Sequence, residues 1–171
     1  EATPVSGTVR SLGLLGACLV VGLAGWLWVF GLGVAVFGLG SVATSAPLLG
    51  VVAAAVGSYT LAAVSIGFLM GQIGLGQQAA NAVANIGGMA LSFLGGAWVP
   101  IEGLPDSLAR AARLTPGYWA DRAISGAYEA TSMSAAVIGP LLVDCGICAL
   151  FAVAVFSVAV AVGRARARSA L

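Results

Sequence analysis

Long apolar runs separated by short polar breaks make up most of the chain. The four runs occupy residues 11–38, 47–73, 78–98 and 136–163. Each run is long enough to cross a bilayer, since a helix needs roughly 20 apolar residues to span the hydrocarbon core. No charged residue occurs between Arg10 and Glu102, so the first three runs are uninterrupted. The pattern predicts an all-α membrane protein with four transmembrane helices in a single domain, residues 1–171.

One long polar segment, residues 99–130, separates the third run from the fourth. Pro105 and Asp106 suit the start of a short helix, and the arginines that follow agree with the direction of the helix dipole. Pro116 and the glycine after it end that helix, and the Tyr-Trp pair that follows suits a membrane–water interface. The segment is therefore predicted to form a short helical re-entrant or extracellular hairpin before the last span. Its two predicted helices cover residues 106–114 and 118–128.

Polar side chains in the second span recur every seven residues, at Ser58, Ser65 and Gln72. This spacing places the three side chains on one face of a helix. Because polar side chains that face lipid are costly, the face is predicted to pack on a neighbouring helix, with the lining of a pathway as the alternative.

A second polar stripe lies in the third span. Asn81, Asn85 and Ser92 share one helical face with Gly88. The stripe has two alternative interpretations. The asparagines form hydrogen bonds to another helix, which contribute about 0.6–2 kcal/mol each in membranes, or they line a translocation path.

The charged residues define topology and exclude several classes of protein. Only 8% of the residues are charged, whereas a soluble domain averages about 25%, so a water-soluble protein is excluded. All seven basic residues are arginines, and they form no polybasic face for nucleic acid. Arg10 before the first span and the arginines after the last predict that both termini are cytoplasmic and that segment 99–130 lies outside. A first residue of Glu1 indicates a processed chain or a fragment.

Few residues are suited to catalysis. The chain has no histidine and no Walker A motif, and the glycine pattern of residues 74–79 follows no strand, so it is predicted to be a turn rather than a dinucleotide site. Cys145 and Cys148 form a C-x-x-C pair, which is either a membrane thiol oxidoreductase site or two small buried residues. Asp144 is interpreted as an interfacial residue that the helix N-terminus stabilises, or as an ion-coupling carboxylate.

The order of motifs around the polar segment resembles the C-terminal half of an ABC type-2 transporter permease. A run of small and apolar residues, 91–100, leads to a proline and is followed by a Leu-Pro pair. An amphipathic helix at 108–113 and the Thr-Pro-Gly-Tyr-Trp turn at 115–119 come next. The resemblance covers residues 46–165 and, weakly, the first span.

This resemblance implies six spans in a bacterial plasma membrane, of which the four spans here are the third to sixth. Two N-terminal spans and the loop that contacts the ATPase then lie outside this sequence. The resemblance implies a permease subunit of an ATP-driven exporter that moves a drug-like, lipid or polysaccharide solute. Its partners would be an ABC ATP-binding subunit, which binds ATP and Mg²⁺, and a second permease copy or homologue. This chain itself is expected to hold no cofactor, no metal and no catalytic residue.

Three groups of residues are candidates for function by the same resemblance. The translocation path would include Asn81, Asn85 and Ser92. The outer gate would include Phe93 and Leu94. The outer helical motif would include Pro100, Glu102, Pro105, Arg113, Pro116 and Tyr118. The alternatives to a permease are a thiol-disulfide oxidoreductase that uses Cys145 and Cys148, and a structural membrane subunit without transport activity.

Overall fold

The computed structural model describes residues 7–37, 46–130, 132 and 134–169, and within these ranges the chain is helical with no strand. Three of the helices are long, and a 3-10 turn, Ile101–Gly103, precedes the shorter pair. The six helices are α1 (Gly7–Phe37), α2 (Ala46–Ile73), α3 (Gln77–Leu94), α4 (Asp106–Ala112), α5 (Pro116–Glu129) and α6 (Ala135–Ser169).

Three of the described helices are long and apolar enough to cross a membrane. The segments are Ser11–Val36, Ala46–Ile73 and Ala135–Arg168. They confirm the prediction of an all-helical, membrane-embedded protein. The third predicted span, α3, is not among them, because its 18 residues include two glutamines and two asparagines that lower its hydropathy.

Helices α2 and α6 run parallel to each other along their full lengths. Their contacts join Val51 to Leu141, Ala55 to the Cys145 region, and Phe68 to Phe156, whose ring centroids are 5.4 Å apart. At the C-terminal ends, the Arg166 guanidinium donates to the carbonyl of Gln72 at 3.3 Å, as suits a cation at a helix C-terminus. Ser58 and Ser65 are buried on this face of α2, so the prediction that their stripe packs on another helix is confirmed.

Helix α1 packs antiparallel against the other side of α2. Gly22 lies against Val64, and the Trp26 ring lies against Gly57, where its Nε1 donates to the carbonyl of Ala53 at 3.1 Å. None of the described side chains of α1 is buried, and large apolar residues are exposed along it. In a bilayer, an apolar helix surface of this kind is suited to contact with lipid.

Several predicted boundaries need correction. The third span ends at Leu94 instead of residue 98, because Gly95 caps the helix and Gly96 turns the backbone to a φ of +90°, which favours glycine. The first hairpin helix ends at Ala112 and the second begins at Pro116. The last helix continues to residue 169, through all three C-terminal arginines, and residue 38 lies outside the described residues.

Candidate functional site

Helix α5 packs against the N-terminal halves of both α2 and α6. Its Ala127 packs with Val51 and Leu141, and its Ala123 packs with Ala55 and Cys145. Since residue numbers fall along α5 as they rise along α2 and α6, α5 is antiparallel to both. The buried face carries small residues, which allow the three backbones to approach closely. These residues are Pro116, Gly117, Ala120, Ala123 and Ala127.

An ion pair joins α5 to α6 beside this interface. Nε of Arg122 donates to Oδ2 of Asp144 at 2.8 Å, and Nη2 donates to Oδ1. Asp144 is 3% exposed, whereas the Arg122 side chain is 49% exposed. Two parallel hydrogen bonds between a guanidinium and a carboxylate fix both distance and orientation. The pair therefore holds α5 to α6 in one register.

Two aromatic rings complete the surroundings of Arg122. Its Cζ lies 4.5 Å from the ring centroid of Trp119 and 5.8 Å from that of Tyr118, within the range of cation–π attraction. An arginine guanidinium keeps its positive charge in proteins, so Arg122 supplies a cation both to Asp144 and to the two rings.

The interpretation of Asp144 as a residue stabilised by the helix N-terminus is wrong. Helix α6 begins at Ala135, so Asp144 lies in its third turn, beyond the first turn in which the dipole acts. Its carboxylate is buried and is paired with Arg122 instead. Sequence reasoning did not identify this partner. The sequence feature that could have indicated a partner is the position of Asp144 within the last apolar run. A carboxylate that is buried there requires a cation or hydrogen-bond donors nearby.

Local hydrogen bonds define the start of α5. Thr115 accepts from the backbone N–H of Tyr118 at 3.4 Å and donates to the carbonyl of Ala112 at 2.7 Å, which links the two hairpin helices. Nε1 of Trp119 donates to the carbonyl of Arg113 at 2.9 Å. Pro116 occupies the first helical turn, where its missing N–H costs nothing.

The predicted outer motif is thus partly assembled in one place. Arg113, Pro116 and Tyr118 come together at the start of α5. Pro105 immediately precedes α4 and Pro100 precedes the 3-10 turn, both exposed, without contact to the ion pair among the described interactions. Glu102 falls in the 3-10 turn, and its side chain lies outside the described residues.

A glycine–glycine contact joins the end of α3 to the start of α5. A Cβ added to Gly117 would lie 3.0 Å from Cα of Gly95, and one added to Gly95 would lie 3.1 Å from Cα of Gly117. Next to this joint, a Cβ on Gly96 would lie 2.9 Å from Oδ2 of Asp121. Helix α5 thus contacts α3 through Gly117 and Asp121, and α6 through Arg122.

The remainder of α3 lies apart from the other helices. None of its residues is buried, and Asn81 and Asn85 are exposed while Ser92 is half-buried. A shallow open groove of about 510 Å³ follows one side of the helix and brings together Asn85, Phe93 and Leu94. Asn81 and Ser92 do not line this groove. The assignments of these five residues to a path and a gate stay predictions.

Both cysteines of the C-x-x-C pair are buried in the helix interface. Cys145 is 6% exposed and Cys148 is fully buried, and both are free thiols. Among the described residues, no group of three or more histidine, cysteine or acidic side chains is arranged to hold a metal ion. The positions fit small residues that pack between α2, α5 and α6.

No family model, curated protein or solved structure matches the chain. The resemblance to ABC type-2 permeases consequently rests on the order of motifs in residues 91–119.

Proposed function

We propose that the chain is a membrane-spanning permease subunit of an ATP-driven ABC type-2 exporter in a bacterial plasma membrane. The observation that carries this proposal is the packing of α5, the second helix of the predicted hairpin, against α2 and α6, where Arg122 and Asp144 hold it. ATP and Mg²⁺ belong to a separate ATP-binding subunit. A second permease copy or homologue completes the membrane part, and the transported solute is drug-like, a lipid or a polysaccharide.

The parallel packing of α2 and α6 supports four membrane crossings in this chain. Two parallel spanning helices begin on the same side of the bilayer. The chain between Ile73 and Ala135 must therefore return to that side. Helix α3 is the long helix in this segment, and its 18 residues extend about 27 Å, so it begins the return towards that side.

The return crossing has two parts in this proposal. Helix α3 rises to Gly95, where it contacts Gly117 at the start of α5. Helix α5 then continues in the outward direction, because it is antiparallel to α2 and α6. A helix interrupted at membrane depth is tolerated where the irregular backbone is covered by protein or lines a water-filled cavity. Such interruptions are a feature of transporters.

Labelling of single cysteines tests this topology. In a chain whose three native cysteines are replaced by alanine, Leu75→Cys and Ser132→Cys are expected to lie on opposite sides of the membrane. A thiol reagent that does not cross membranes should label the variant at position 132 in intact cells and the variant at 75 only after lysis. Labelling of both positions in intact cells would show that α3 does not return the chain across the bilayer.

The exposed amides of α3 favour a transport role over a purely structural one. Asn81 and Asn85 are exposed, and no other described helix buries them. A polar side chain within a membrane helix is costly in lipid and generally faces a helix bundle or a water-filled cavity. The stripe therefore fits the wall of a path that a second subunit closes. Cys145 and Cys148 give no comparable support to the thiol oxidoreductase alternative, because both are buried.

An export assay tests the proposed function. The chain is expressed with an ABC ATP-binding subunit, the first choice being one encoded by a neighbouring coding sequence if such a sequence is found, and export of fluorescent amphipathic dyes is followed in inside-out membrane vesicles. Export is expected to require ATP and both subunits. Substitution of Asn81→Leu together with Asn85→Leu should lower it at least tenfold, because the polar wall is lost, whereas Met89→Leu on the same helix should leave it within twofold. Undiminished export without the ATP-binding subunit refutes the proposal.

A further inference from the structure

A cavity of about 160 Å³ lies between α1 and α2 at the end where α5 finishes. Its walls are apolar side chains of α1 and α2, including Phe30 and Val52, and Gly33 leaves part of the α1 wall open. Tyr128, near the C-terminus of α5, contributes the one hydroxyl group in the lining. The cavity is therefore an apolar groove with a single polar group at its rim.

The packing of α1 on α2 explains why the groove exists. Trp26 holds the two helices together through its hydrogen bond to Ala53, and its ring stacks on Phe30 with centroids 5.4 Å apart. Beyond this stack, towards the end of α1, a Cβ on Gly33 would have no atom within 4 Å. Helices α1 and α2 are therefore in contact at Trp26 and are separated by a gap at Gly33.

The position of the groove identifies what fills it. Its lining includes Val29, which is 56% exposed, and the nearby apolar residues Leu32 and Val36 of α1 are 51% and 63% exposed. The lining residues lie within three turns of the end of α1 and the start of α2, so the groove is at the depth of the acyl chains of one leaflet. The molecules next to the opening of the groove are therefore the acyl chains of lipids.

We propose that the groove binds one acyl chain of a membrane phospholipid, with the hydroxyl of Tyr128 bonded to the glycerol-ester region. The cavity is about the size of an engineered apolar cavity of ~150 Å³ that stays dry and binds benzene, so it accepts a segment of about six carbon atoms. Water is excluded from such a lining, whereas an acyl chain leaves no polar group unsatisfied. This inference requires only that α1 and α2 are embedded in the bilayer, and it is independent of transport.

Two glycine substitutions on α1 provide a matched test. A leucine in place of Gly33 enters the groove, whereas a leucine in place of Gly31, two residues away, enters none, and a Cβ at either position meets no atom within 4 Å. The chain is reconstituted in bilayers that contain phosphatidylcholine with a photoactivatable diazirine on one acyl chain. Cross-linked peptides are then mapped by mass spectrometry.

Cross-links at the lining residues are expected in the unsubstituted chain and in Gly31→Leu, with at least a fivefold loss in Gly33→Leu. Val52→Phe fills the groove from α2 and should give the same loss, so a folding defect in one variant does not decide the result. Tyr128→Phe should leave the cross-linked positions unchanged and lower the phospholipid retained through detergent purification at least threefold. Equal cross-linking in all variants indicates general boundary lipid and overturns the proposal.

Discussion

Replacing Arg122 with alanine is expected to lower the free energy of unfolding by about 3 kcal/mol, the lower end of the cost of removing one partner from a buried ion pair. The loss arises because Asp144 is 3% exposed and its carboxylate would stay buried without its cation. The lower end applies because 49% of the Arg122 side chain is exposed. Titration of the detergent-solubilised chain with sodium dodecyl sulfate measures the change.

The two single substitutions should differ, because the two partners are buried to different extents. In Asp144→Ala, the half-exposed guanidinium can turn towards water, so a loss of about 1 kcal/mol is expected, as for a hydrogen bond at a partly exposed site. Replacing both residues with leucine should recover most of the stability, since apolar pairs substitute well for buried ion pairs. Arg122→Lys should be less stable than the unsubstituted chain, because a lysine cannot form the two parallel hydrogen bonds that the guanidinium donates to Asp144. Equal losses in both single variants would contradict the asymmetric burial of the pair.

The lengths and ends of the long helices followed from local properties of the sequence. A run of apolar residues predicts a span wherever it occurs, so α1, α2 and α6 were found within a few residues of their observed bounds. Proline also acts locally, and Pro105 placed the start of α4. Pro116 was interpreted as a helix breaker, whereas it occupies the first turn of α5, which begins two residues before the predicted residue 118. The stripe of serines on α2 correctly predicted a packed face, since its spacing is a property of one helix.

The contacts between helices could not be predicted in the same way. The packing of α2, α5 and α6 on one another depends on small residues such as Ala55 and Ala123, and alanines are common along the whole chain. The pairing of Arg122 with Asp144 joins residues 22 positions apart on separate helices, and it exists only because α5 packs against α6 at that position. The polar segment was interpreted as a source of topology, yet it supplies the cation that Asp144 requires.

Substitution of Gly117→Leu is expected to destabilise the chain by about 3 kcal/mol, the upper part of the range for overpacking. The cause is the contact with Gly95, whose Cα lies 3.0 Å from the position of a new Cβ. Backbone atoms cannot rotate away as the end of a side chain can. The helices α3 and α5 would therefore have to separate, and α5 would shift relative to Asp144. Cleavage by trypsin after Arg122 should accelerate, because a loosened α5 exposes this bond to the protease.

The control for this prediction is Gly88→Leu on α3, where a new Cβ has no atom within 4 Å. It makes the same chemical change in open space and should be neutral or stabilising by about 0.5–1 kcal/mol, since glycine weakens a helix interior. The difference between the two variants isolates the steric effect of the glycine joint from the change in helix propensity. If Gly117→Leu proves as stable as Gly88→Leu and is cut by trypsin at the same rate, α3 does not meet α5 at Gly95. The proposal that α3 and α5 together form the return crossing would then lose the contact on which it depends.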